Sequence, residues 1–425
     1  MADLILYVSL LIIWLSLLYH LFLMVGGYCY YWQHFRIVHQ WQKKSLQKPV
    51  VSILIPAHNE EVVIRDTLSE MVKLNYPKDK LEIIVINDLS TDQTGAIVDE
   101  FSKEYSFVKA VHTEKPFGGK GKSGALNQGL KNSQGEVIVV YDADNQPEPN
   151  ALHYLVMGLI NDQSAGAVVG KFRVLNAKKN LLTRFINIET LTFQWLAQAG
   201  RWYWFKVATI PGTNFAIRRS LLEELDGWDE KALSEDTELS FRVYESGYHI
   251  RFFPQGVTWE QEPETLKVWW KQRTRWARGN LYVIGKYLFR VTELKSKRVM
   301  LDLLYFISIY LLFFAGILLS HSLFVTSFVV DLNLTIGSVS FLLIFIGFLV
   351  FVTQVCLALS LEQNQLTSKN VMTVALMYVI YSQMWIFLVI YASGLEIKRV
   401  MFKQEARWYK TERFDSKSKG QKEID

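Results

Sequence analysis

Glu136-Val-Ile-Val-Val-Tyr-Asp142-Ala-Asp144-Asn145 is the stretch on which the reading of this chain turns. Val137 to Tyr141 is an apolar, strand-forming run, and it ends in two carboxylates one residue apart. A buried strand that stops in Asp142 and Asp144 puts acid at the carboxyl edge of a sheet, where open α/β sheets bind ligands. Two hard oxygen ligands on a tight turn suit Mg²⁺ or Mn²⁺ held between protein and a diphosphate. The plainer alternative is a solvated acidic turn, since Asp-x-Asp is common in turns.

The surrounding residues repeat a strand–helix alternation. Val50 to Ile55, Leu81 to Asn87 and Val108 to His112 read as strands. Glu61 to Leu74, Thr94 to Tyr105, Ala125 to Lys131 and Asn150 to Asn161 read as helices, and Ala167 to Phe172 as a further strand. This pattern predicts an α/β fold with a doubly wound, mostly parallel sheet. The first loop, Pro56-Ala57-His58-Asn59-Glu60, and the second, Asn87-Asp88-Leu89-Ser90-Thr91-Asp92, both follow strands and carry polar residues that could converge on the acid turn. Gly118 to Asn127 adds glycines and Lys122 ahead of a helix, which suits an anion, but Pro116 breaks any Walker pattern. The plain alternatives are a solvated loop lysine for Lys122, a turn cap for Asp88 and a bystander for His58.

Further on, Leu181 to Trp204 is long, aromatic and sparsely charged, and suits a helix lying in a membrane interface; the alternative is an ordinary core helix. Pro211-Gly212-Thr213-Asn214 follows, then Ser234-Glu235-Asp236. Ser234 looks like a helix N-cap, so Asp236 is either a dipole-complementing acid or a general base presented at a helix start. In Thr265 to Tyr287, Gln272, Arg275 and Trp276 fall at i, i+3, i+4 on one helix face. An amide, a guanidinium and an indole there could hold a diphosphate and stack a sugar; a basic interfacial helix is the alternative.

Of the 425 residues 50% are hydrophobic and 14% aromatic, and 46 basic against 41 acidic residues give +5, too mild to argue for nucleic acid. Mean hydropathy is +0.12, high for a soluble enzyme. Cys29 and Cys356 give no metal spacing and no disulfide framework. Leu4 to Trp32, Leu303 to Val330, Leu332 to Leu361 and Asn370 to Leu395 are apolar stretches longer than the ~20 residues needed to cross a bilayer. The first reads as a retained anchor, and Arg36, Lys43, Lys44 and Lys48 after it place the next segment in the cytosol. The later flanks conflict. Lys295, Lys297 and Arg298 start the remaining three spans inside, yet Lys398, Arg399, Lys403, Arg407, Lys410 and Arg413 keep the tail inside too, which makes one segment re-entrant, interfacial or a hairpin.

Taken in order, Asn87-Asp88, Lys122, Asp142-Ala143-Asp144, Ser234-Glu235-Asp236 and Gln272-Arg-Thr-Arg275-Trp276, set among transmembrane segments, resemble the membrane-embedded inverting glycosyltransferases. That family includes the cellulose, chitin, hyaluronan and poly-N-acetylglucosamine synthases. Size, one N-terminal span and the run Trp259 to Lys267 make the chain most similar to the bacterial poly-N-acetylglucosamine synthase branch.

The resemblance implies a GT-A domain at 48–262, with an anchor at 1–34, interfacial helices at 263–300, membrane helices at 301–397 and a basic tail at 398–425. It implies a UDP-sugar donor, with N-acetylglucosamine the expected sugar. Asp88 would read the uracil, with Pro56 and Glu60 in the pocket wall and Lys122 facing the nucleotide. Asp144, with Asp142, would bind nucleotide and Mg²⁺ or Mn²⁺. Asp236 would be the base. Gln272, Arg275 and Trp276 would close over the pyrophosphate and the acceptor end, with Gly212, Thr213, Asn214 and Glu235 on the acceptor side.

The chain departs from the family pattern at Asn87, where two acids are usual before the loop, and at Ser234, where threonine is usual. One base and no second carboxylate nucleophile predict single displacement with inversion. The expected partners are the donor, a polysaccharide acceptor, the lipid bilayer of the cell membrane and a small membrane accessory subunit. The competing expectations are a non-processive transferase that glycosylates a lipid, and a catalytically silent membrane subunit that binds nucleotide or polymer.

Overall fold

Runs of Val and Ile such as Val51–Ala57 and Leu81–Asn87 are buried on both faces, the signature of central strands covered by helices. A computed structural model describes residues 2–43, 47–232, 234–290, 292, 296–330 and 337–402. Lys44, Lys295, Asp331 and the basic tail beyond 402 lie outside them.

One unit consists of Gln33–Thr190 and Lys206–Gln272. Its eight strands are β1 (Val51–Ala57), β2 (Leu81–Asn87), β3 (Val108–His112), β4 (Val137–Val140), β5 (Gln146–Pro147), β6 (Ala165–Val174), β7 (Phe215–Arg218) and β8 (His249–Glu260). They form one sheet in the order β3-β2-β1-β4-β7-β6-β8-β5. The first four are parallel, as the strand–helix alternation predicts. From β7 the sheet is mixed: β7 runs antiparallel to both β4 and β6, β8 is parallel to β6, and β5 is antiparallel to β8. Ile53, Ile55, Ile83, Val85 and Val139 pack with Leu68, Met71, Leu152 and Leu155 of the covering helices. Several predicted edges move. The first helix contracts to Ile64–Met71, and the one after the glycine loop begins earlier, at Gly121.

Register decides what meets at the carboxyl edge. Ala57 lies beside Asn87, so the loop Ala57–Glu60 faces Asp88. Val140 lies beside Phe215 in the antiparallel pair, so the segment that precedes β7 faces the acids that follow β4. At Gly170 the backbone passes so near Gly256 and Asn214 that a Cβ would strike the Gly256 carbonyl and the Asn214 amide. Asn214, fully buried and at φ +50°, donates to the carbonyls of Lys171 (3.0 Å) and Gly256 (2.8 Å).

The second unit comprises Met1–Trp32, Leu191–Phe205 and Arg273–Gln404. Among the described residues four helices are long and apolar enough to cross a membrane: Ala2–Gln42, Lys297–Ser327, Leu342–Ser360 and Ser368–Met401. They overlap the four expected stretches, although the start of the third, 332–336, lies outside the described residues, and most of each apolar window lies on the protein surface. The aromatic segment before Phe205 is not one regular helix. Leu181–Thr192 passes into the π-helical Phe193–Gly200 and then Arg201–Phe205. Phe185, Ile186, Ile188, Leu191, Trp195 and Trp202 are buried within the protein, while Leu181, Phe193 and Trp204 are exposed. Within the unit, Gly27 and Gly200 let this segment meet the first helix backbone to backbone, and Trp195 Nε1 donates to Glu362 Oε1 at 2.8 Å. Arg201 pairs with Asp302, both buried, beneath the ring of Tyr305. Leu266–Leu288 is one helix, as expected, and the division between units falls inside it, after Gln272.

Asp162, ahead of β6, binds His249 Nε2 (3.0 Å) and Arg251 Nη1 (2.7 Å) and accepts from Ser164 Oγ (2.6 Å). Burial would raise its pKa, but these partners outweigh burial and hold the carboxyl well below the usual aspartate range. A depressed folded-state pKa stabilises above the unfolded value of about 4 and is lost as pH falls below it. Asp162→Asn is therefore expected to cost about 1–3 kcal/mol at pH 7 and to flatten the loss of stability on acidification, read by thermal melts from pH 3 to 7.

Candidate active site

The acid turn is held from below. The backbone N–H of Asp142 donates to Thr213 Oγ1 (2.8 Å) and Asn145 Oδ1 (3.1 Å), and Thr213 is hydrogen-bonded in turn to Asn145. Ala143 O accepts from Thr67 Oγ1 at 2.7 Å. Asp142 is left with its carboxylate toward the cleft, and Asp144 lies buried beside it.

Lys122, in the first turn of Gly121–Lys131, reaches across to this acid. Its Nζ is 2.6 Å from Asp142 Oδ1 and 3.5 Å from Glu235 Oε1, and it donates to the Gly212 carbonyl at 2.8 Å. Burial alone would lower the lysine pKa. The charges of Asp142, Glu235 and Asp236 outweigh it and hold the ammonium above the usual lysine range.

Asp236 stands at the same wall: a Cβ built on Gly212 would lie 2.8 Å from Asp236 Oδ2 and 3.4 Å from Lys122 Nζ. Gly212 has φ +86°, a conformation that glycine alone adopts without strain. The helix Glu235–Glu245 begins here with Ser234 at the N-cap, but the expected cap from its hydroxyl is not made. Asp236 Oδ1 instead accepts from the N–H of Thr237 at 2.7 Å. One oxygen of Asp236 is thus tied to its own helix end, and the other faces Gly212.

The loops of β1 and β2 form a second cluster. Asp88 is buried, and its Oδ1 accepts from Thr113 Oγ1 (2.6 Å) and the N–H of Gly119 (2.8 Å). The His58 ring is 2.6 Å from the carbonyl of Asp88, so it stitches two loops together and plays the structural part. The Glu60 N–H donates to Thr94 Oγ1 at 2.7 Å, and Pro56 sits in β1 opposite Ile86. Asn214, expected on the acceptor side, is placed elsewhere: its amide holds β6 and β8 together. Gln272 is buried at the end of this unit. Arg275 and Trp276 lie in the next unit, where the Arg273 guanidinium covers one indole face of Trp276 at 3.9 Å.

Two residues escaped the reading of the sequence. Asn145 ties the acid turn to Thr213. Asn127 donates to the carbonyl of Trp228 and accepts from its N–H, each at 2.9 Å, so the Lys122 helix grips the segment leading to Asp236. Lys120 adds an ion pair to Glu230 at 3.1 Å. Both asparagines stand in motifs that catch the eye, yet only coordinates reveal their backbone partners.

Among the described residues no three His, Cys, Asp or Glu side chains cluster as a metal cage. Asp142 and Asp144 nonetheless fit a divalent ion completed by phosphate oxygens, since Mg²⁺ is commonly held by one or two carboxylates plus substrate phosphates.

Residues 49–279 match the family model described as glycosyltransferase like family 2. The chain belongs to this family. It is 58% identical over 420 residues to a Bacillus subtilis (strain 168) protein named probable glycosyltransferase YdaM, covering 99% of this chain and all of that one. It is 32% identical over 256 residues to the poly-beta-1,6-N-acetyl-D-glucosamine synthase of Staphylococcus epidermidis, a match spanning 60% of either protein. Among solved structures, a mannosyltransferase of Pyrobaculum calidifontis in complex with GDP-mannose and Mn²⁺ superposes with TM-score 0.55 at 19% identity, covering 88% of this chain and 99% of that one. That likeness establishes a GT-A-like fold with a mixed sheet, and the family makes the chain a nucleotide-sugar transferase.

In this family member a methyl group at position 212 would push into Asp236. Gly212→Ala is expected to lower sugar transfer at least about tenfold with the protein still folded, as a shift of about 1 Å, even one caused far from the chemistry, can cost about 100-fold. Initial rates beside a thermal melt check it.

Proposed function

We propose that this glycosyltransferase moves a sugar, N-acetylglucosamine in the first instance, from a UDP-sugar onto the hydroxyl of a growing polysaccharide, with inversion and coupled to passage across the cell membrane. The observation that carries this is the side-chain cluster in which Lys122 joins Asp142, just after β4, to Glu235 and the neighbourhood of Asp236. Donor-side and acceptor-side acids, far apart in sequence, stand within reach of one ammonium group.

The chemistry follows from the parts. A sugar hydroxyl is a poor nucleophile at neutral pH, so a placed carboxylate must take its proton as the new C–O bond forms. Asp236 has one oxygen fixed by Thr237 and the other directed at Gly212, and is the base in this reading. The bond from the anomeric carbon to the diphosphate breaks, and its electron pair leaves on the diphosphate. Lys122 offsets the charge that develops there. A Mg²⁺ or Mn²⁺ ion on Asp142 and Asp144 would supply further charge stabilisation to the same oxygens. Asp88, clamped by Thr113 and Gly119, is set to read the base of the nucleotide, with Pro56 and Glu60 beside it. Arg275 and Trp276, on the helix that carries Gln272, are assigned to the pyrophosphate and the acceptor end from the motif they form. Glu235, Gly212 and Thr213 line the acceptor side.

Polymer synthesis is supported by the 32% identity to a polysaccharide synthase and by four helices long and apolar enough to span a bilayer. In this reading the chain is a multi-pass protein of the cell membrane with its transferase domain in the cytosol, open to a small membrane accessory subunit, and its product is an exopolysaccharide of the kind found in biofilms.

Asp236→Asn is expected to lower transfer by about 10²–10⁴-fold while UDP binding stays within about twofold; retained activity would remove Asp236 from the base position. Membranes given radiolabelled UDP-N-acetylglucosamine are expected to yield high-molecular-weight product. Addition of one sugar per acceptor, or labelling of lipid alone, would rule out processive synthesis.

A further inference from the structure

The Lys122 ammonium lies 2.6 Å from Oδ1 of Asp142, one of the two acids to which the divalent ion is assigned. A second cation held by Asp142 would have to share that carboxylate with an ammonium largely shielded from water, and like charges there repel strongly. The ammonium is not held by Asp142 alone. Glu235 and the Gly212 carbonyl share it, and Asp236 contributes to its charge environment. Anything that draws Lys122 off Asp142 therefore also changes the acids at the acceptor wall.

We propose that Lys122 competes with the divalent ion for Asp142 and gives way only to an ion that arrives with the diphosphate, so that donor and metal bind cooperatively and loading of the donor releases the acceptor-side acids. The diphosphate is what makes the exchange favourable. It brings oxygens that complete the coordination of the ion and offers Lys122 an anion to replace the carboxylate it leaves. The metal alone brings neither. The inference rests on the proposed reading of this cleft as a metal–diphosphate site.

The test measures Mn²⁺ binding by loss of the free-ion electron paramagnetic resonance signal, using the full chain in lipid nanodiscs, with and without UDP. Wild type is expected to bind Mn²⁺ weakly alone and tightly with UDP. Lys122→Met is expected to bind Mn²⁺ without UDP about tenfold more tightly, and the enhancement by UDP should shrink by a similar factor. Lys122→Gln keeps a donor for the Gly212 carbonyl while losing the charge, and should behave alike, which guards against a packing artefact in the first variant. Adding Asp142→Asn to either variant should cancel the tightening, as the cycle isolates that pair. Unchanged or weaker Mn²⁺ binding by both folded variants without UDP overturns the competition while leaving the metal site standing. No Mn²⁺ binding by wild type even with UDP overturns the metal reading itself, and this inference with it.

Discussion

The antiparallel pairing of β7 with β4 is the constraint from which the cleft follows. A parallel strand beside β4 would have sent its preceding loop to the opposite edge of the sheet. Because Phe215 lies against Val140 in the reversed direction, the chain enters β7 from the carboxyl edge and lays Gly212 and Thr213 against Asp142. Asn214 makes this entry permanent. Its left-handed backbone turns the chain, and its buried amide bonds to two carbonyls of neighbouring strands. Buried amides that satisfy backbone carbonyls are costly to lose, so the same residue fixes the sheet and the position of the wall.

The second determinant is charge. Asp142, Glu235 and Asp236 crowd one small volume around a single ammonium. Acids so near one another are tolerable only with a cation among them or with some of them protonated. Lys122 fills that need within the protein itself, and the helix start that carries it follows glycines at positive φ. A negatively charged donor and its accompanying ion would redistribute this charge and leave the total nearly unchanged. Sites that exchange one compensating charge for another avoid the large desolvation cost of a bare buried ion.

Much of the parallel half was legible from residue order. β2 and β3 coincide with the strands expected from Leu81–Asn87 and Val108–His112, because continuous Val and Ile runs between turn residues have little else to do. The position of Asp142 and Asp144 at the end of β4 was legible too, since strand-terminal carboxylates stand out. The reversed half was not. β7 is only four residues long, and β8 carries Pro254 and Gly256 in its middle, which break the strand signal. Ser234 fits the composition of an N-cap, but the neighbouring Asp236 takes the helix N–H instead. The π-helical turn at Phe193–Gly200 has no sequence signature at all; within it Trp195 is buried while Phe193 is exposed. His58 and Asn127 could be noticed as polar residues in the right loops, but their work is done on backbone atoms that composition does not reveal.

The grip of Asn127 on Trp228 has a mechanical meaning. Both bonds run from one side chain to the two backbone groups of one residue, so they resist rotation as well as separation. The helix under Lys122 and the strand of chain that runs on to Asp236 are therefore geared together. Parting the two would break both bonds at once, so the helix that carries Lys122 and the backbone at Trp228 keep one relative orientation.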